Sequence, residues 1–248
     1  MSAPPDTDLP CEWAPSPNFG PRRPESGPAR RADMLILHYT AMASAERALH
    51  WLTTEESVVS SHYLIDETGK IFQMVREADR AWHAGMSSWQ GAEDINSASI
   101  GIEIHNMGAD GGCPDYPDVQ MTSVVALCRD IVARNAIPQT RVLAHSDVSP
   151  GRKIDPGPHF DWKALADAGV GLWPKRWSQP GRVDVPAIQR QLADIGYGID
   201  ITGEDDAQTR TVVSAFQLRW RPSCHDGELD AQTAARIGDV WQMMCAVA

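Results

Sequence analysis

Two short segments in which almost every residue is apolar place the strongest limit on the fold of this chain. Met34–Tyr39 (MLILHY) and Ser99–His105 (SIGIEIH) have the length and composition of strands buried inside a sheet. Between and after them lie segments with helical spacing of apolar residues, the clearest at Val119–Asn135. Strands that alternate with helices along the chain predict an α/β domain.

Shorter patterns complete this predicted domain. Ser44 can cap the first turn of a helix, because its hydroxyl can accept a hydrogen bond from the backbone. Two apolar runs separated by an Asp-Glu-Thr-Gly turn predict a hairpin. The predicted elements are the helix Ser44–Leu52, the hairpin Ser61–Ile65 with Lys70–Val75, and the strand Arg141–Ala144.

Composition divides the chain into three parts. Residues 1–33 are rich in proline and arginine and predict an irregular lead-in. Residues 34–178 carry the α/β pattern and end near a predicted linker at 174–182. Residues 179–248 predict a small domain of three helices. These helices are predicted at Val185–Ile195, Asp206–Trp220 and Asp230–Met244.

Charge and cysteine content exclude several classes of protein. The chain has 22 lysine and arginine residues against 33 aspartate and glutamate residues, a formal net charge of −11. Such a protein repels nucleic acid and anionic membranes, and no apolar run approaches the roughly 18 residues of a membrane span. The 5 cysteines are widely spaced, which predicts neither a disulfide framework nor a cysteine zinc site. Cys224 and Cys245 could still pair in an oxidising compartment.

Two histidines and one aspartate are candidate metal ligands. His38 ends the first buried strand, His145 follows the strand Arg141–Ala144, and Asp155 lies a short distance further along. Two imidazoles and one carboxylate would form a zinc site with an open fourth position for water, which is the catalytic pattern. Spacing alone leaves the alternative open that these are ordinary hydrogen-bonded polar residues, in a chain with 8 histidines.

Two further charged residues are candidates for catalysis. In Ile100–His105 the isoleucines point to one face of the strand, whereas Gly101 and Glu103 point to the other. Burying a carboxylate there is costly unless it is paired or functional, although a solvated strand face is the alternative. Lys153 precedes Asp155 by two positions, so both side chains project the same way from an extended segment. An ammonium there could stabilise an oxyanion, and a surface lysine is the alternative.

Five segments form an ordered set of motifs: LILHYT (35–40), SSHYLID (60–66), AWHAG (81–85), SIGIEIHN (99–106) and AHSDVSPGRKIDPGPHFDW (144–162). They resemble the zinc-dependent N-acetylmuramoyl-L-alanine amidases, which share a fold with peptidoglycan recognition proteins and phage lysozyme-amidases. They stand in the family's order, and the last is long and specific. The tail resembles a peptidoglycan-binding module through VPAIQRQLADIGYGID (185–200), AFQLRWRP (215–222) and DGELDAQT (226–233).

The resemblance implies a central mixed β-sheet flanked by helices and followed by the small helical domain. It implies that His38, His145 and Asp155 bind zinc, that Glu103 is the general base and that Lys153 stabilises the oxyanion. The implied reaction is hydrolysis of the amide bond between the lactyl group of N-acetylmuramic acid and L-alanine of the stem peptide. The implied substrates are bacterial peptidoglycan fragments (muropeptides), including anhydro forms, in degradation or recycling of the cell wall.

Five other residues are candidates for substrate binding. His62, Trp82 and His83 lie in the resembling segments, where lining the cleft and packing in the core are both open. Arg76 and Arg80 could bind the carboxylates of the stem peptide, since the guanidinium fork matches a carboxylate. The alternative for both arginines is a solvated face beside neighbouring acids.

Two alternative functions use the same fold or site. A non-catalytic peptidoglycan-binding or sensing protein would be favoured by broken metal ligands, and none is broken here. A zinc peptidase that cuts within the stem peptide shares the site chemistry. The cysteine pattern suits the cytoplasm, with the periplasm as the alternative if a signal segment precedes the chain. The sequence indicates no protein partner.

Overall fold

The computed structural model describes residues 5–22 and 31–247, which form strands β1–β8 and helices α1–α8. The strands are β1 Cys11–Trp13, β2 Phe19–Pro21, β3 Met34–Tyr39, β4 Tyr63–Ile65, β5 Ile71–Gln73, β6 Asp79–Ala81, β7 Ser99–Ile104 and β8 Val142–Ala144. The helices are α1 Ala45–Thr53, α2 Ile95–Ala98, α3 Asp118–Asn135, α4 His145–Val148, α5 Trp162–Asp167, α6 Val185–Ile195, α7 Ala207–Trp220 and α8 Ala231–Cys245. Short 3₁₀ turns lie at Glu55–Ser57, Ala109–Gly111 and Gln139–Arg141. None of the helices in this described part has the length and apolar character needed to span a bilayer.

A mixed sheet of six strands forms the centre of the structure, in the order β1-β5-β4-β7-β3-β8. All neighbouring pairs are parallel except β4 and β5, which form the predicted antiparallel hairpin. Strands β2 and β6 pair separately. The predicted mixed sheet with flanking helices is therefore confirmed, as are the predicted helix at α1 and its cap, Ser44.

Both faces of the sheet are covered, which explains why its central strands are apolar on both sides. On one face, Leu35 and Leu37 of β3 and the isoleucines of β7 pack against α3 and α5. On the other face, α1 covers Leu64 and Phe72, whereas helices of the C-terminal part cover Met34 and Ile36. The second face thus has two separate covers with a gap between them.

The three C-terminal helices share one hydrophobic cluster with the sheet. Leu192 of α6, Phe216 of α7 and Ile237 of α8 belong to the same buried cluster as Ile36 and Leu143 of the sheet. The predicted linker contains no helix or strand, yet it contacts α8, because the Ser178 amide donates a hydrogen bond to Asp239 at 2.7 Å and the Trp177 ring centroid lies 4.5 Å from the Arg236 guanidinium. Just before the linker, Trp173 stacks on Trp220 with ring centroids 5.4 Å apart. The C-terminal part is therefore packed against the α/β part, not held at a distance from it.

The expectation that residues 1–33 form only an irregular lead-in is wrong for two short segments. Strand β1 extends the edge of the main sheet, and β2 pairs with β6. Arg22 follows β2 and is buried, where its guanidinium donates hydrogen bonds to backbone oxygens of Glu77, Asn96, Ser97 and Ser99. Each strand is three residues long. So short a segment shows no periodicity of its own, and its partner strand decides its conformation.

The shared cluster predicts that the sheet and the C-terminal helices unfold together. Phe216→Ala should lower the free energy of unfolding by about 3–5 kcal/mol, because a fully buried ring is replaced by a cavity. Urea unfolding followed by far-ultraviolet circular dichroism and by tryptophan fluorescence should give one coincident transition at lower urea.

Ile201→Ala is the matched control, since Ile201 lies in the same part of the chain but is 53% exposed. It should change the free energy of unfolding by less than about 0.5 kcal/mol. A separate early transition of the helices in Phe216→Ala, with the sheet unaffected, would contradict the shared cluster.

Candidate metal centre and active-site cleft

A cavity of about 250 Å³ opens at the gap between the two covers of the sheet. It lies at the carboxyl ends of parallel strands, the usual place for a binding site in an open α/β sheet. His38 and Glu103 occupy opposed positions on β3 and β7, and His145 follows β8 directly. The predicted residues His38, Glu103, His145, Lys153 and Asp155 all line this cavity.

Three of these residues converge on one point. His38 Nδ1 lies 2.9 Å from His145 Nδ1 and 3.0 Å from Asp155 Oδ2, and His145 Nδ1 lies 2.9 Å from the same carboxylate oxygen. All three side chains are buried. Ligands of one tetrahedral zinc ion, bonded at about 2.0–2.2 Å, lie roughly 3.3 Å apart, which is close to the spacing observed.

The far nitrogen of His145 determines which of its ring nitrogens carries the proton. His145 Nε2 lies 3.0 Å from the backbone oxygen of Ala84, which can only accept, and 3.3 Å from Arg152 Nη2, which donates at the shorter distance of 2.6 Å to the same Ala84 oxygen. A neutral His145 therefore donates from Nε2 and presents an unprotonated Nδ1 to the centre of the site.

A chain of four hydrogen-bonded groups determines which ring nitrogen of His38 carries the proton. Ser99 donates its hydroxyl proton to the Ile95 oxygen at 2.6 Å, so it accepts from His83 Nε2 at 3.3 Å. His83 Nδ1 is then an acceptor for His38 Nε2, 2.9 Å away. His38 consequently also presents an unprotonated Nδ1 to the centre.

The donor atoms therefore fit a bound cation. Burial, together with the adjacent His145, lowers the pKa of His38 to about 4, and burial lowers the pKa of His83 well below its usual value, so both rings are neutral. Two ring nitrogens and one carboxylate oxygen then face one another within 3.0 Å. A metal ion at their centre would bind all three donor atoms.

Glu103 and Lys153 provide acid–base and electrostatic groups beside this centre. Glu103 Oε2 is buried and has no hydrogen-bond partner among the described residues. Burial raises the pKa of Glu103 well above its usual value, the charge of Asp155 raises it further, and Lys153 opposes the shift. An unpaired buried carboxyl group facing a cavity is a candidate for proton transfer.

Three of the proposed substrate-binding residues do not line the cavity. His62 is fully buried with both ring nitrogens engaged, since Nδ1 accepts from the Gly101 amide at 3.0 Å and Nε2 lies 3.1 Å from the Asp79 oxygen. Arg76 pairs with Asp6 at 3.1 Å, and Arg80 pairs with Asp94 at 2.9 Å. These acidic partners occupy the guanidinium groups that were expected to bind substrate carboxylates.

Trp82 and His83 do line the cavity, and two residues that support His83 were missed. Ser99 is buried at the start of β7 and anchors the hydrogen-bond chain to His38. Gly101 is required because a Cβ atom there would lie 2.6 Å from the ring of His83. The signal for Gly101 was present in the sequence, since glycine inside a strand often marks a close approach of another group.

Fold and site together define an α/β protein with a group of residues that could bind a metal at the carboxyl edge of its sheet. A sequence model of the N-acetylmuramoyl-L-alanine amidase family matches residues 28–158, and a model of a peptidoglycan binding domain matches residues 181–237. The N-acetylmuramoyl-L-alanine amidase AmiD of Escherichia coli K12 is 38% identical over 237 residues, which span 86% of this chain and 84% of that protein. The chain therefore belongs to the N-acetylmuramoyl-L-alanine amidase family.

Solved structures agree with this assignment. AmiD in complex with the substrate anhydro-N-acetylmuramic acid-L-Ala-D-gamma-Glu-L-Lys matches with a TM-score of 0.78 at 33% identity, covering 91% of this chain and 98% of that chain. AmpDh3 from Pseudomonas aeruginosa, in complex with anhydromuramic pentapeptide, matches with a TM-score of 0.76 at 33% identity, covering 90% of this chain and 96% of that chain. This protein is thus an amidase that hydrolyses the bond between N-acetylmuramic acid and L-alanine.

The hydrogen-bond chain to His38 predicts a measurable effect of a distant hydroxyl. Ser99→Ala should weaken binding of a divalent metal by about tenfold, because His83 loses the acceptor that fixes its ring and, through it, His38. Competition with a chelator measures the affinity directly.

Ser16→Ala is the matched control, because Ser16 is also buried and also donates its hydroxyl proton to a backbone oxygen, that of Leu52 at 2.6 Å. It should leave metal affinity unchanged. Equal affinity in the two variants would show that the hydroxyl of Ser99 has no part in orienting the ligands.

Proposed function

We propose that the bound metal is zinc and that His38, His145 and Asp155 hold it. The observation that carries this proposal is the convergence of two unprotonated imidazole nitrogens and a carboxylate oxygen within 3.0 Å of one another. This set of nitrogen and oxygen donors suits zinc, with three protein ligands and room for a fourth. When bound, the ion would lower the pKa of a water molecule and polarise the scissile carbonyl.

In the proposed mechanism, Glu103 accepts the proton of the attacking water and delivers it to the leaving amine of L-alanine. Its Oε2 is buried beside the cavity and has no hydrogen-bond partner in the part of the chain that the structure describes, which leaves it available for this transfer. Lys153 stabilises the oxyanion that develops on the carbonyl oxygen, because an ammonium in a poorly solvated site interacts strongly with new negative charge.

We propose that the substrates are muropeptides, including those that carry anhydro-N-acetylmuramic acid. This is supported by the AmiD and AmpDh3 complexes, both of which contain anhydromuramyl peptides. The cavity has an apolar wall from α1 and the following segment, including Trp51, Leu52 and Val59. Lys153 is the one lysine or arginine among the described residues that line it, so it would also offset the repulsion between an acidic protein and an anionic peptide.

We propose that residues 34–178 form the catalytic unit and residues 179–248 the peptidoglycan-binding unit. Family models that match 28–158 and 181–237 support a division between them. We also propose a cytoplasmic location in muropeptide recycling, with the periplasm as the alternative. The cytoplasm is supported by the cysteines, which are all free thiols.

The test of this function is zinc-dependent release of free stem peptide from an anhydromuropeptide. The purified full chain should bind one zinc ion and release the peptide with L-alanine at its amino terminus, as measured by mass spectrometry. Chelation should abolish release, and added zinc should restore it.

Two results would contradict the proposal in different ways. A protein that releases the peptide equally well with and without chelator does not use this metal centre. Cleavage between amino acids of the stem peptide would identify a peptidase instead of an amidase.

Glu103→Gln tests the proposed proton transfer. The neutral isostere should lower kcat by about 10²–10⁴-fold and leave zinc stoichiometry unchanged, because the side chain is not among the three converging ligands. Glu204→Gln, at an exposed glutamate of the C-terminal part, is the control and should retain full activity. Near-normal kcat in Glu103→Gln would remove Glu103 from the mechanism.

A further inference from the structure

Asp147 is a buried carboxylate that the proposed mechanism does not use. It lies two positions after His145 in α4, and it is 1% exposed. Its Oδ2 accepts a hydrogen bond from the backbone amide of Ala144 at 2.9 Å. This hydrogen bond closes the backbone around His145 and Ser146, the two residues that lie between its ends.

Two residues of the C-terminal helical part hold this carboxylate. Tyr197, just after α6, donates its hydroxyl proton to Asp147 Oδ1 at 2.6 Å. Arg219 of α7 donates from Nη1 to Asp147 Oδ2 at 3.1 Å. Tyr197 and Arg219 are 3% and 2% exposed, so the whole arrangement is shielded from water.

Arg219 is itself fixed in place by the α/β part. Its Nη1 also donates to the backbone oxygen of Val142, in the strand that leads into His145, at 2.9 Å. Its guanidinium lies 4.1 Å from the ring centroid of Trp162 and 4.4 Å from that of Trp220. Both hydrogen bonds come from Nη1, whereas Nε is buried without a hydrogen-bond partner among the described residues. Loss of Asp147 would leave this buried charge without its counter-charge, which is expensive and makes the docked position of α7 specific.

Helix α4 depends on these contacts because it is only four residues long. A single helical turn is unstable alone, since nucleation fixes several dihedral angles for few hydrogen bonds. We propose that Tyr197 and Arg219 are positioning residues for the metal centre: they hold Asp147, and Asp147 fixes the backbone that aims His145 Nδ1. The inference rests on the proposed zinc site and gives the C-terminal part a role in catalysis besides wall binding.

Tyr197→Phe in the full chain is the sharpest test, because it removes one hydroxyl and keeps the ring that packs beside Trp89. Zinc affinity, measured by chelator competition, should fall by about tenfold. The visible spectrum of the cobalt-substituted protein should shift, because the ligand geometry changes. Arg219→Gln should have a larger effect on both measurements, and Arg219→Lys should recover part of the loss.

Val240→Ala is the matched control for lost stability. Val240 is fully buried in the same cluster on α8, and its aliphatic side chain cannot hydrogen-bond to Asp147. It should destabilise the zinc-free protein at least as much as Tyr197→Phe, as measured by urea unfolding, yet keep the wild-type zinc affinity and cobalt spectrum.

Three results would overturn the inference. The first is wild-type zinc affinity and cobalt spectrum in Tyr197→Phe. The second is an equal loss of affinity in Val240→Ala, which would reduce the role of Tyr197 to general stability. The third is a wild-type chain that binds no zinc, which refutes the proposed metal centre and is recognised before any variant is compared.

Discussion

The parallel pairing of β3 with β7 is the constraint on which the rest of the structure depends. It places His38 opposite Glu103. On the other side of β7, Glu103 pairs with Leu64 of β4. One row of residues across the sheet therefore contains the apolar Leu64 and the two site residues Glu103 and His38. On both sides of that row the same face is buried, by α1 and by the C-terminal helices. The cleft exists because neither cover reaches the end of β3.

The neutral state of His38 and His83 follows from this enclosed position. Burial disfavours a charged imidazole, and fixed acceptors, such as the Ala84 oxygen, decide which nitrogen keeps the single proton. The formal net charge of −11 therefore says little about the cleft itself, where neutral rings surround a few charged groups. Electrostatics in this protein is a local property set by burial and hydrogen bonding.

The sequence predicted what depends on long apolar patterns and missed what depends on contacts between distant segments. The structure contains the predicted strands at Met34 and Ser99 and the predicted C-terminal helices. It also brings His38 and His145 together with Asp155, as predicted. Arg76 appeared available for substrate, but its partner, Asp6, lies 70 positions earlier in an apparently irregular segment. No local pattern reveals such an ion pair. Strand β1 was missed for a similar reason, because its partner β5 supplies the hydrogen bonds that define it.

The hydrophobic cluster shared between the sheet and the C-terminal helices also limits how this protein can evolve. In sequence the two parts resemble independent domains that recombination could exchange at the linker. In space, loss of the helices would uncover Met34, Ile36 and Leu143, an apolar surface suited to self-association. A lineage that gains or loses these helices must therefore also change the side chains of the sheet. A gene fusion at the boundary between the two parts gives a stable protein only when the apolar face of the sheet and the facing side of the helices change together.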